Sequence, residues 1–198
     1  MHHIYHTEGI ILGSKNFGEA GKYYYILTRD LGMIYARAQG VRKISSKLRF
    51  VLQDFAYLKI DLVQGRDFWR VTNASKTNIL EQITKKPEIF KVFSNIARLL
   101  KRLLPGVEPN EALFTDLLNG LYILSARGGP ASGWEKDLKD IEIIIVLRIL
   151  NNLGYIGDSE MLKTFIKSPF EEEILFQVSK NRGTILAEIN KALKETHL

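Results

Sequence analysis

A basic segment, GVRKISSKLR at residues 40–49, has the composition best suited to bind an anion. Its four cations are Arg42, Lys43, Lys47 and Arg49. No Asp or Glu lies between Asp30 and Asp54 to compensate them. Because like charges repel, such a run either meets an anion, for example the phosphates of a nucleic acid, or stays in water. The segment alone leaves both interpretations open.

Further cations and several aromatic residues accompany this segment. The cations are Arg37, Arg66 and Arg70, and the aromatic residues are Tyr23, Tyr25, Tyr35, Phe68 and Trp69. Rings that stack on bases contribute about 1–3 kcal/mol each, while cations follow the phosphates. We predict nucleic-acid contacts from these three cations, from the four of the basic segment and from Tyr35. The strand pattern described below predicts a small barrel, and such a barrel fills its inside with aromatic side chains. Half or more of these five aromatic residues are therefore expected in the core.

GEAGKY at residues 18–23 brings glycines next to a lysine, as a phosphate-binding loop does. That loop needs a Gly where Asn16 stands and a Ser or Thr where Tyr23 stands. The hydroxyl that would hold magnesium is therefore missing, and we interpret the stretch as a turn that enters a strand.

The sequence offers few residues for a catalytic or metal centre. The four histidines are His2, His3, His6 and His197. The first three lie at a terminus where no carboxylate is expected beside them, which makes a poor metal site. The chain has no Cys, which excludes a thiol nucleophile and every Cys-containing metal site. We expect no enzyme, no metal and no cofactor, with a small hydrolase or nuclease as an alternative.

Charge is distributed unevenly along the chain. Residues 1–80 hold 12 Lys or Arg and 6 Asp or Glu, whereas residues 81–198 hold 16 of each, so the first part carries the whole net charge of +6. A basic part followed by a neutral one suggests that the first part meets a polyanion. We find no signal peptide and no apolar run of the roughly 18 residues that a membrane span needs, so we expect a soluble, cytoplasmic protein.

The first part of the chain has the pattern of short strands. The predicted strands are residues 7–13, 22–28, 32–38, 55–63 and 67–74. They are rich in β-branched and aromatic residues. RDLG at 29–32 and QGRD at 64–67 predict hairpins in which Gly supplies a positive φ. Five strands with one long connection, 40–54, after the third predict a small Greek-key barrel of the OB type.

After residue 78, apolar residues recur at spacings of three and four, as in helices. The predicted helices lie between Pro87 and Pro105, from Asn110, from about Asp137 to Gly154, and at about 158–167, 171–180 and 183–195. GGPASG at 128–133 is predicted to be a loop. The third helix is apolar on nearly every side, so it is expected at the centre of a bundle. The predicted fold class is α+β, with a five-stranded OB-fold nucleic-acid-binding domain at 1–78 and an all-α helical domain at 79–198.

Several short motifs follow one another through residues 6–55. They are TEGIIL, a GE turn, ILT with a charged residue and LG after it, then AQGVRK, SKLR and LQDF. In this order they resemble the opening of the RecO family of DNA repair proteins. A second stretch, LRILNNLGYIG at 147–157, resembles the helix ending in LGY in that family's helical domain.

The resemblance implies a DNA-binding recombination mediator with an OB domain and a helical domain. Members bind single- and double-stranded DNA, anneal complementary strands and, with the partner RecR, help RecA load onto DNA coated by single-strand-binding protein. Many members carry a four-Cys zinc module soon after LGY; residues 158–170 contain no Cys, and metal-free members also exist. An RNA-binding OB-fold protein stays open as an alternative, because the same cations and rings would suit RNA.

The neutral helical part is expected to carry the protein contacts. For the acidic C-terminal tail of single-strand-binding protein, the site needs apolar walls and a cation for the carboxylate. The predicted cations are Arg98, Lys101, Arg102, Arg127 and Arg148.

Overall fold

The computed structural model describes residues 3–77, 80, 83–104, 106, 108–127 and 134–196. Its strands are β1 (Ile4–Phe17), β2 (Gly21–Thr28), β3 (Gly32–Ala38), β4 (Tyr57–Gln64) and β5 (Trp69–Lys76). Its α-helices are α1 (Pro87–Leu103), α2 (Glu111–Arg127), α3 (Trp134–Asn152), α4 (Glu160–Lys167) and α5 (Glu172–Glu195). The predicted loop at 128–133 and the residues His2 and His197 lie outside the described residues.

The five strands form a closed barrel in the order β1-β2-β3-β5-β4, with β4 paired back onto β1. All neighbouring strands are antiparallel except β3 and β5, which run parallel and close the barrel. This is the strand order of an OB-fold, and closure leaves no long free edge. The predicted fold class, a five-stranded OB barrel followed by helices, is confirmed.

The two predicted hairpins use their glycines for different reasons. In the β2–β3 turn, Gly32 has a φ of +67°, as predicted. Gly65, in the β4–β5 turn, does not have a positive φ, so that part of the prediction is wrong. Its amide donates to the carbonyl of Phe68 over 3.1 Å, and a Cβ at Gly65 would lie 2.5 Å from that oxygen. Glycine is therefore needed here for close approach of the backbone.

Alternate residues of each strand fill the barrel. The core side chains include Ile11, Tyr24, Ile26, Ile34, Ala36, Leu58, Ile60, Leu62, Trp69 and Val71. Because successive side chains of a strand point to opposite faces, the residues between them lie outside. The long connection after β3 adds Val41 and Leu52 to the same core.

Among the helices, α3 packs against α1, α4 and α5. Its side chains Ile141, Ile144 and Leu147 are buried, which confirms the predicted central position. Gly154 ends the segment with a φ of +77°, and the amide of Tyr155 donates to the carbonyl of Leu150. This is the helix end that the sequence predicts. None of the described helices is both long and apolar enough to cross a membrane.

The predicted break near residue 181 does not occur, because α5 is one helix of 24 residues. Gly183 in its middle costs about 1 kcal/mol relative to Ala. The buried side chains Val178 and Ile185 lie on either side of it, and burial of each contributes about 1.5–3 kcal/mol. Arg182 is also anchored, since its Nη2 lies 2.7 Å from Oδ1 of Asp140. Packing therefore outweighs the glycine.

Contacts between Cα atoms divide the chain into two compact units. One consists of Met1–Glu81 with Leu104–Glu111, and the other of Gln82–Leu103 with Ala112–Leu198. The first contains the barrel and the second contains nearly all of the helices.

Two helical glycines give opposite predictions for the same substitution. A Cβ at buried Gly120 of α2 would lie 2.5 Å from Cγ1 of Ile145, so Gly120→Ala is expected to destabilise the fold by about 1–3 kcal/mol. No atom lies within 4 Å of a Cβ added at Gly183, so Gly183→Ala should stabilise by about 0.5–1 kcal/mol. Urea unfolding followed by circular dichroism measures both. Equal stability of the two variants would contradict the tight contact at Gly120.

Candidate nucleic-acid interface

The long connection after β3 is held on the barrel by its apolar residues. Val41 and Leu52 are almost fully buried, and Leu48 and Val51 pack against the same core. A chain of backbone hydrogen bonds runs through it, from the amides of Lys43, Ser46 and Arg49 to the carbonyls of Gly40, Lys43 and Ser46. The basic segment is therefore a folded series of turns.

The four cations of the basic segment are exposed on this folded connection. Lys47 and Arg49 are the ends of a short 3₁₀ helix. Arg42 is held at its amide, which donates to the carbonyl of Ala20 over 2.9 Å. Within the described part of the chain, none of the four forms an ion pair with a carboxylate. Their charges remain uncompensated by the protein in the fold, as they are in the sequence.

Five rings form a cluster, which we call the aromatic face: Phe17, Tyr23, Tyr25, Tyr35 and Phe68. Tyr35 stacks on Tyr23 with centroids 4.8 Å apart and contacts Tyr25 at 4.9 Å. Phe17 and Phe68 meet Tyr23 edge-on at 4.6 and 5.8 Å. Partial burial, with Tyr25 and Tyr23 nearby, raises the pKa of Tyr35. A tyrosine phenol of ordinary pKa is already neutral near pH 7, so Tyr35 brings no negative charge to a contact with a polyanion.

The aromatic face lies outside the barrel, because its tyrosines alternate with core residues. On β2, Tyr24 is fully buried while Tyr23 and Tyr25 are partly exposed. On β3, Tyr35 is 36% exposed. Of the five rings named from the sequence, Trp69 is in the core. The expectation that half or more of them lie in the core is therefore wrong.

A β-bulge brings β1 into the aromatic face. Ile11 pairs with core residue Ile26, but the next pair is Gly13 with Tyr25, so one residue is skipped. Gly13 has a φ of +148°, which glycine tolerates. A bulge inserts one residue and reverses which side chains face inward. Phe17 is thereby turned to the outer side.

Three of the predicted arginines lie on or near β3 and β5. Arg37 of β3 packs over the ring of Phe17, with Cζ 4.0 Å from its centroid, and its buried Nε has no hydrogen-bond partner. Arg70 is opposite Arg37 in the parallel β3–β5 pair. Arg37 and Arg70 also line one surface cavity of about 380 Å³. Arg66 is exposed in the β4–β5 turn.

The cations predicted for partner contacts occupy different environments in the helical unit. Arg98, Lys101 and Arg102 are exposed on α1. Arg148 is only 5% exposed. Its guanidinium donates to the carbonyls of Phe165 and Ser168 and lies 3.8 Å from Asp116. These contacts assign Arg148 a structural role at the end of α4.

The side chain of the remaining predicted partner cation, Arg127, lies outside the described part of the chain.

One of the N-terminal histidines, His6, lies in the barrel sheet. His6 belongs to β1, and its Nδ1 lies 2.7 Å from Oδ1 of Asp61 on β4. The expectation that no carboxylate adjoins these histidines is therefore wrong for His6. Among the described residues, no group of three or more His, Cys, Asp or Glu side chains is arranged to hold a metal ion.

Comparison with known proteins covers the barrel and much of the helical part. Residues 1–79 match the family model described as recombination protein O N terminal. The DNA repair protein RecO of Heliobacterium modesticaldum is 32% identical over 152 residues, which are 77% of this chain and 52% of that protein. That of Thermodesulfovibrio yellowstonii is 30% identical over 157 residues, 78% of this chain and 59% of that protein. The chain belongs to the RecO family.

The alignments cover only part of the length of the RecO proteins. Pelotomaculum thermopropionicum RecO, 32% identical over 128 residues, is aligned over 65% of this chain and 49% of its own length. This chain therefore spans about half of the length of the RecO relatives that it matches. It also lacks Cys, so this RecO-family chain has none of the ligands of a four-Cys zinc module.

Sequence reasoning missed three residues of this RecO-family barrel. Phe17 belongs to the aromatic face, and Nζ of Lys15 lies 5.8 Å from the ring centroid of Tyr25. Lys22, from the rejected phosphate-loop motif, lines a cavity with Arg42 and Arg49. The glycine-containing run around Gly13 is the signal from which the bulge, and with it Lys15 and Phe17, could have been found.

Proposed function

We propose that this chain is a DNA-binding recombination mediator in DNA repair. It binds single- and double-stranded DNA and anneals complementary strands without catalysing a covalent step. Membership of the RecO family supports this function. In this proposal, residues 1–78 form the nucleic-acid-binding domain, residues 79–198 form a helical domain, and the protein acts in the cytoplasm.

The observation that carries the proposal is the aromatic face on the outer surface of a barrel that also bears the basic segment. Rings such as Tyr35 offer stacking surfaces to unpaired bases, whatever their identity. The cations of the basic segment, together with Arg37, Arg66 and Arg70, offer sites for phosphates. A single strand therefore follows the outer surface of β1, β2 and β3.

Annealing follows from the same charges. Two complementary strands repel each other through their phosphates, and a cationic surface lowers that repulsion while it releases condensed counterions. Because phosphate contacts carry no sequence information, the protein should accept strands of any sequence.

The helical unit offers a groove for a partner in this proposal. Its apolar walls are Ile143, Val146, Leu186 and Ile189. Lys139, Glu142 and Arg182 also line it, and because Arg182 is paired with Asp140, Lys139 is the cation offered to a ligand. This combination suits the acidic C-terminal tail of single-strand-binding protein, since a carboxylate needs a cation and apolar side chains need cover. We also propose that the chain contacts RecR and assists RecA. Three exposed cations of α1 are further candidates for contacts with partner proteins: Arg98, Lys101 and Arg102.

Strand annealing in the presence of the cognate single-strand-binding protein tests the function. Two complementary oligonucleotides, one with a fluorophore and one with a quencher, are coated with that protein and mixed with this chain. We expect faster annealing that weakens as salt rises. Annealing at the spontaneous rate, with the chain folded and in excess, would contradict the proposal.

Two controls separate the alternatives. Matched RNA strands should anneal more slowly if the protein is specialised for DNA, whereas tighter RNA binding would favour an RNA-binding protein. An end-labelled strand incubated with magnesium should stay intact. Its cleavage would indicate a nuclease.

A further inference from the structure

A second cavity, of about 310 Å³, lies between β2 and the long connection after β3. Three cations line it, Lys22, Arg42 and Arg49. Tyr24 and Gln53 contribute further polar groups. Its volume is within the range of small-molecule sites.

The hydroxyl of Tyr24 is the unusual group of this cavity. The side chain is 0% exposed, and its hydroxyl has no hydrogen-bond partner. A buried polar group without a partner costs about 1–3 kcal/mol, so a ligand that accepts from it gains that amount. Like any tyrosine hydroxyl, it keeps its proton at neutral pH and can donate; burial, and secondarily the charge of Asp54, raises the pKa of Tyr24 further.

Hydrogen bonds fix the backbone beside two of these cations, and Nη1 of Arg42 donates to the carbonyl of Gly18 over 3.4 Å. The Arg42 amide donates to the carbonyl of Ala20 over 2.9 Å, and the Gln53 side-chain amide donates to the carbonyl of Arg49. Lys22 belongs to β2, with its Nζ 3.4 Å from Oγ of Ser14. Asp54 is exposed and is not part of the lining. Three cations and a buried donor therefore line one compact space.

We propose that this cavity binds the terminal phosphate of a DNA strand, so that the chain recognises strand ends as well as strands. This inference rests on the proposed DNA binding and adds to it a preference for strands that end in a phosphate. The chemical class of the ligand is a phosphomonoester on a nucleotide.

The charge and shape of the cavity favour a terminal phosphate over an internal one. A phosphomonoester carries a charge of about −1.5 to −2 at neutral pH, whereas an internal phosphodiester carries −1. It also has three oxygens free to accept from cations and from the Tyr24 hydroxyl. A terminal phosphate is joined to the strand on one side only, so it can enter a closed-ended cavity. An internal phosphate is joined on both sides, so the strand would have to pass into the cavity and out again.

Binding of three matched single strands tests this inference. They carry a 5′-phosphate, a 3′-phosphate or hydroxyls at both ends, and each has a fluorophore at an internal base for anisotropy. We expect about tenfold tighter binding of a phosphorylated strand, since a charged hydrogen bond of about 1.5–3 kcal/mol corresponds to this factor or more. The two phosphorylated strands distinguish the 5′ from the 3′ end.

Substitutions of cavity residues test whether the preference for a terminal phosphate arises in this cavity. Tyr24→Phe removes one hydroxyl and should reduce the preference several-fold, while Arg42→Ala with Arg49→Ala should abolish it. The matched control is Lys43→Ala with Lys47→Ala, two cations of the same segment that do not line the cavity. This control should weaken binding of all three strands by a common factor and keep their ratio.

Failure of the inference is distinguishable from failure of the proposed function. Equal affinity for the three strands would overturn the cavity's role and leave DNA binding intact. If no strand binds, the proposed function fails, and thymidine monophosphate against thymidine then tests the cavity directly by NMR. Phosphate-dependent shifts of the methyl signals of Val41 and Leu52 would support it, and their absence would overturn it.

Discussion

Replacing all four cations of the basic segment by alanine is expected to weaken single-strand binding about 100-fold at about 0.2 M salt. The four are Arg42, Lys43, Lys47 and Arg49, which are exposed and form no ion pair within the described residues. Each phosphate contact on a single strand contributes about −0.7 to the slope of log affinity against log salt, so the slope should flatten by about 3. Fluorescence anisotropy titrations across a series of salt concentrations measure both quantities.

A charge-matched variant in the helical unit provides the control. Lys167, Lys180, Lys191 and Lys194 are exposed on α4 and α5. Their replacement by alanine changes the net charge by the same amount, so a smaller effect on the salt slope would separate local contacts from overall charge. Circular dichroism should give the same unfolding midpoint for the basic-segment variant and the parent. A salt slope unchanged in that variant would mean that the segment is only solvated.

Periodicity predicts the barrel well, because the inside of a small barrel imposes strict alternation. Each predicted strand overlaps an observed one, and the long connection after β3 follows the OB pattern. The break predicted in α5 shows the limit of local signals. Gly183 suggests an end, but the buried neighbours and the Arg182–Asp140 pair are tertiary contacts that the sequence does not display.

The basic segment was recognisable from charge alone, since an uncompensated run of cations is visible in any sequence. The aromatic face was harder to predict. A tyrosine on a strand is equally compatible with the core and with the outside, and three consecutive tyrosines, Tyr23 to Tyr25, leave the phase of alternation undecided. The bulge at Gly13 shifts that phase within β1 itself. Only the register of all the strands assigns each ring to a face.

Burial separates cations that look alike in a sequence. Arg148 and Arg98 both belong to helices, yet Arg148 is buried on the carbonyls of Phe165 and Ser168 while Arg98 is exposed. Lys22 shows the converse. It belongs to a motif rejected as a phosphate loop, and the fold brings it beside Arg42 and Arg49 through contacts distant in sequence.

Removing two rings of the aromatic face, by Tyr23→Ala with Tyr35→Ala, is expected to weaken single-strand binding by about 2–6 kcal/mol, since each stacked base contributes about 1–3 kcal/mol. The salt slope should stay as in the parent, because no cation is removed. Double-stranded DNA, whose bases are already stacked on each other, should lose much less affinity. Anisotropy titrations with single and double strands at one salt concentration measure the difference.

Tyr23→Phe with Tyr35→Phe is the matched variant, because it keeps both rings and removes only the hydroxyls. It should bind single strands nearly as well as the parent, whereas the alanine pair should not. The rings of Tyr23 and Tyr35 also stack on each other at 4.8 Å, so thermal unfolding of both variants must confirm that the barrel is intact. An alanine variant that is folded and binds single strands as tightly as the parent would move the DNA path away from the aromatic face. Binding would then depend on the cations alone.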